Sequence, residues 1–114
     1  MNTIINNTIQ ELGLSIIKDN ALVSINWTSL YVVFKIDGND IEEFGELITV
    51  TKTLGYLLDG DLPGDLALKL CDEMNLMESK RWKACKVTII YKTQDINIEF
   101  EYEDEMKWNE SLPF

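Results

Sequence analysis

The sequence predicts an α+β domain, an antiparallel sheet with helices on one face, with elements in the order αβββαββ. Three observations lead there. Apolar residues recur at helical spacing in two separate segments, and several runs alternate apolar and polar residues at the period of a strand. Each of those runs has a single apolar face, the pattern of an antiparallel sheet covered on one side. At 114 residues, 46% apolar and 26% charged, the chain suits one globular domain. No repeat, low-complexity tract or linker divides 1–114.

The first helix is read from Ile5, Ile9, Leu12 and Ile16, spaced by four, three and four residues. Asn2 or Thr3 can cap it, and Gly13 weakens it without ending it. Residues 21–26 read as a continued helix or as a loop or strand. Trp27 leads into the clearest strand, 28–36, in which Leu30, Val32, Phe34 and Ile36 share one face. Ser29, Tyr31, Val33 and Lys35 share the other, and the β-branched and aromatic content supports a strand. Asp37-Gly38-Asn39-Asp40 is a turn. Two strands are expected next, near 44–51 and 53–58, with Gly45 and Gly55 marking irregularity or a bulge.

Asp59-Gly60-Asp61 then punctuates the chain, and Pro63 suits the first turn of a second helix. Leu66, Leu70, Met74 and Met77 carry its apolar face to about Ser79. Asp61 and Asp65 at its front, and Lys80 and Arg81 at its back, complement the helix dipole. A hairpin follows, with Cys85, Val87, Ile89 and Tyr91 on the same face as Ile96, Ile98, Phe100 and Tyr102. Pairing Tyr91 with Ile96 gives a Thr93-Gln94 turn and sets Lys86 opposite Glu101 and Lys92 opposite Asp95. A longer turn is the alternative. Residues 104–114 read as an irregular tail, with Trp108 and Phe114 folding back as apolar anchors.

Charge and composition exclude more chemistry than they suggest. Twenty Asp and Glu against ten Lys and Arg give a net charge of −10, and there is no histidine. Ser-His-Asp and Cys-His machinery and His-ligated zinc or haem are therefore excluded. The acidic balance also argues against binding a nucleic-acid backbone. Cys71 and Cys85 are too few for structural zinc and too far apart for a CxxC motif, and they read as buried free thiols in a reducing compartment. The N-terminus lacks the basic and apolar regions of a signal peptide, and no run is long and apolar enough for a membrane span, so a cytoplasmic protein is expected.

Glu99, Glu101 and Glu103 share one strand face, where carboxylates could do acid–base work or hold a hard metal. A solvated outer face countered by Lys86 and Lys92 accounts for them more simply. Glu103-Asp104-Glu105 lacks the spacing of an EF-hand, and the single glycines make no phosphate loop. No catalytic, cofactor-binding or metal-binding residue is assigned, and an enzyme is not expected. Lys80, Arg81, Lys83, Lys86 and Lys92, with Trp82 and Tyr91 among them, read as a helix end and an outward strand face. At this net charge they do not make a nucleic-acid patch.

The acids outside that ladder concentrate in three groups: Asp37, Asp40, Glu42, Glu43 and Glu46; Asp59, Asp61 and Asp65; and Glu103, Asp104 and Glu105. All are expected at turns and element ends, where binding residues gather. They suit a basic protein partner, which could itself bind nucleic acid.

Several features together carry a family resemblance. An apolar helix leads into Trp27, Leu30, Tyr31 and Val32; a second amphipathic helix ends at Arg81-Trp82. The hairpin strand Ile98-Glu99-Phe100-Glu101-Tyr102-Glu103-Asp104 then leads to Met106-Lys107-Trp108. Over roughly 4–110 the chain resembles the YezG-like immunity proteins, a group similar to antitoxins of polymorphic-toxin and contact-dependent growth inhibition systems. The resemblance implies a cytoplasmic protein that binds and neutralises a cognate toxin C-terminal domain, commonly a basic nuclease. With the charge and composition above, no catalysis, no cofactor, and neither nucleic acid nor membrane as partner is expected.

Charge clustering alone nominates Asp37, Asp40, Glu42, Glu43, Glu46, Asp59, Asp61, Glu103, Asp104, Glu105 and Trp108 for toxin contact. Whether the toxin's active site is covered or bound beside stays open, as does the oligomeric state. An acidic adaptor for another basic protein is the second reading, and a carboxylate or metal-dependent hydrolase the third.

Overall fold

A computed structural model of the chain describes residues 3–19, 22, 25–37, 40–56, 58–79 and 81–102. The elements are α1 (Thr3–Ile17), β1 (Trp27–Asp37), β2 (Asp40–Thr49), β3 (Thr53–Tyr56), α2 (Leu62–Glu78), β4 (Ala84–Ile90) and β5 (Asp95–Glu101). This is the expected αβββαββ order. The strands form one antiparallel sheet in the order β3-β2-β1-β4-β5, so the longest strand, β1, is central.

Both helices lie on one face of the sheet. Ile5, Ile9, Leu12 and Ile16 of α1 are all buried, as the helical spacing requires, against Leu30, Val32 and Phe34 of β1 and Leu66, Leu70 and Met74 of α2. Trp27, Trp82, Cys71 and Cys85 belong to the same core, and both thiols are free. Burial is the main cause that pushes each thiol's pKa up. Gly13 is where α1 approaches β5: a Cβ there would overlap the Ile96 side chain. The opposite sheet face carries a second, small cluster in which Val33 and Ala84 are buried beside Tyr31 and Phe44.

Several sequence expectations shift. β2 begins at Asp40 instead of near residue 44, because Asp37 and Asp40 already pair across the turn. Of the acids that obscured this strand, Glu42 and Glu46 sit outward, opposite Lys35 and Tyr31, and Glu43 faces the other way, toward α2. β3 ends at Tyr56 and pairs only with residues 45–48 of β2. Gly45 and Gly55 lie in an unbroken ladder; the bulge falls instead between Trp27 and Ser29. Gly45 is needed for closeness, since a Cβ would strike the Tyr31 carbonyl oxygen.

Met77 is largely exposed although Leu66, Leu70 and Met74 are buried. The turn after α2 begins at Ser79, which adopts a left-handed conformation with φ 53°. No basic residue stands in the last turn of α2; Arg81, beyond it, reaches back to Asp72 at 3.3 Å.

The hairpin register is shifted by two residues from the expected one. Ile89 pairs with Ile96 and Lys86 with Glu99, leaving the turn at 91–94 with Gln94 at φ 55°. A two-residue shift keeps every side chain on its expected face. Tyr91 lies just beyond the β4–β5 ladder and bonds to β1. Its N–H donates to the Thr28 carbonyl at 2.9 Å, and its ring meets Trp27 edge-on at 5.0 Å. Thr28, within the bulge, also donates its hydroxyl to the Ile48 carbonyl at 3.0 Å. The bulge and the long turn are thus one device.

Candidate functional site

The acidic residues of the sequence separate by strand parity. Glu42 and Glu46 of β2 face outward, whereas Glu43 faces the helices. This corrects the expectation that the acids sit only at turns and element ends, since all three are within a strand. On the outer face the Tyr31 hydroxyl donates to Glu46, and Lys86 lies over the Tyr31 ring at 4.5 Å from its centroid. Burial, followed by that carboxylate, raises the Tyr31 pKa. Glu46 is therefore engaged in the sheet, and Glu42 faces Lys35 across it.

Glu43 has a different setting. It lines a cavity of about 260 Å³ with Ile41, Asp61, Gly64 and Asp65, where the first turn of α2 meets the start of β2. A Cβ at Gly64 would lie 3.9 Å from Glu43 Oε2, so the carboxylate rests against that turn. Burial first, then the charges of Asp19 and Asp61, raise the Glu43 pKa.

Asp19 was not among the residues nominated from the sequence. It is almost fully buried, and its two carboxylate oxygens accept the N–H groups of Asp59 at 2.8 Å and Gly60 at 3.0 Å. It therefore fixes the 59–60 turn, which delivers Asp61 to the front of α2. The signal for it was faint: an aspartate directly after a helix, where the dipole disfavours negative charge, needs another role. Asp61 precedes α2 without a side-chain capping bond, and with Asp59 and Asp65 it is exposed.

The fold thus brings one member of the first acidic group, Glu43, to the second, in a corner built by Asp19, Glu43, Asp59, Asp61 and Asp65. Asp40 is exposed at the β1–β2 turn at the start of the same strand. The side chain of Asp37, and Glu103, Asp104, Glu105 and Trp108 with the expected tail anchors, lie outside the described residues. Among the described residues no group of three or more Cys, Asp or Glu could hold a metal ion. None of their helices is long and apolar enough to cross a membrane.

Beside this corner runs an apolar groove between the helices. Its two adjoining cavities, of about 250 and 280 Å³, share Ser15, Lys18 and Leu62. Leu14 and Leu62 are substantially exposed there, at 43% and 59%. The sequence did not reveal this groove, because Leu62 precedes the periodic run of α2 and Leu14 falls outside that of α1. No family model matches the chain, and no curated protein matches it either.

Proposed function

We propose that the chain is an immunity protein of the cytoplasm that binds and neutralises a cognate bacterial toxin domain, a basic nuclease, through its acidic corner. One observation carries this reading: the convergence of Glu43, Asp61 and Asp19, in which the charges that act on Glu43 are themselves acids. Crowding carboxylates costs stability, and a cationic partner relieves that cost on binding. Carboxylates at the rim of an interface also accelerate encounter, which matters when a toxin must be caught before it acts. The corner offers charge for contact with such a partner.

Co-expression with the toxin encoded beside its gene tests the reading. Rescue of growth, with the two proteins co-purifying as a complex, is the expected result. Equal killing with and without this chain would end it.

A further inference from the structure

The first turn of α2 is the wall between two unlike surfaces. Leu62 and Leu66 face α1 across the groove lined by Leu14, Ser15 and Lys18. Asp61, Gly64 and Asp65 of the same turn face Glu43 and Ile41 across the acidic cavity. Pro63, with Gly60 and Asp19, lines the continuation of the apolar groove. An apolar slot and an acidic slot therefore open side by side on one helical turn.

We infer that this turn is the centre of a bipartite docking site for a basic protein, which seats one large apolar side chain between Leu14 and Leu62 and neighbouring lysines or arginines on Asp61, Asp65 and Glu43. The inference rests on the reading of a basic partner and adds the anchor to it. Charge complementarity selects the occupant. The groove lining holds Glu11, Lys18 and Asp19, the last with both oxygens taken by backbone N–H groups, so the preference comes from the acids on the far side of the turn. Shape points the same way. The two cavities form one groove open to solvent, which suits a side chain offered by another protein. Interfaces of this kind take most of their affinity from a few apolar anchors, while rim charges set the rate and the partner.

The test titrates the isotope-labelled chain with the pentapeptide Lys-Lys-Phe-Lys-Lys and with the same peptide carrying alanine at its centre, followed by amide NMR shifts. The phenylalanine peptide should bind about fivefold or more tightly than the alanine one, an increment expected from burying part of a ring. It should shift the amides of Leu14, Ser15, Leu62 and Leu66 as well as those of Asp61 and Asp65. Leu62→Ser and Leu14→Ser, both at exposed positions that leave the spectrum folded, should each abolish that preference. Equal binding of the two peptides, or a preference that survives both substitutions, overturns the bipartite site. The toxin reading fails on a different measurement: the wild-type chain giving no rescue in co-expression.

Discussion

Asp19 shows how a single side chain can set the geometry of a charged surface. Its carboxylate accepts two backbone N–H groups from the turn before α2 while being almost fully buried. Hydrogen bonds to a charged acceptor are each worth ~1.5–3 kcal/mol, so Asp19→Ala should lose about 2 kcal/mol in denaturant unfolding once the relief at Glu43 is counted. Asp19→Asn should lose less. For Glu43 the sign is reversed. A carboxyl whose pKa is higher folded than unfolded stabilises the native state while protonated, and that contribution is lost as pH rises through the raised value. Glu43→Gln should therefore raise the melting temperature at pH 7, with the gain shrinking toward about pH 4, where the unfolded carboxyl also protonates. Thermal scans of both proteins at the two pH values check this. A smaller gain in the Asp19→Asn background would show that the two residues are coupled.

At the level of elements, the close approach of α1 to β5 yields a prediction that helix propensity alone gets wrong. Gly13→Ala in an isolated helix gains ~1 kcal/mol. Here the new methyl meets Ile96, and overpacking of that kind costs ~1–3 kcal/mol, so the variant should be destabilised. In an Ile96→Ala background the same change should become stabilising; chemical denaturation of the four proteins reads the reversal. Most of the elements were legible because burial imposes period on sequence: Ile5 to Ile16 and Leu30 to Phe34 lie where their spacing puts them. The misreadings share one cause, which is that pairing obeys partners distant in the chain. Tyr91 follows the alternation of β4 yet is drawn to Thr28 and Trp27, and the hairpin opens by two residues. Glu42 and Glu43 hid the start of β2 because the sequence does not show Lys35 across one face or the α2 turn across the other.

On the scale of the whole molecule, the acids were visible as composition and their convergence was not. Asp61 and Asp65 meet Glu43 only because the chain returns from β3 to lay the front of α2 over β2. Leu14 and Leu62 left no trace for a related reason: an exposed leucine carries no periodic signal, and only the packing of the two helices makes it half of a groove. With the surface in view, long-range attraction can be separated from contact. Asp40→Asn, Glu42→Gln and Glu43→Gln combined should slow association with the proposed toxin partner several-fold at low ionic strength, with little difference left at high salt. Stopped-flow rates across a salt series measure it, and an unchanged rate and salt slope would assign the steering to another face.

The brevity of β3 has a consequence for how copies of the chain meet one another. Because it pairs only with residues 45–48, the backbone of 40–43 has β1 on one side and, among the described residues, no strand on the other. A strand edge of this kind is a template for aggregation unless something discourages it. Asp40, Glu42 and Glu43 do so here, since edge-to-edge pairing of two copies would bring their carboxylates together. The same three acids would then work as gatekeepers, repelling self while admitting a cationic stranger. Their triple amide variant should accordingly sediment as larger species at concentrations where the wild type does not.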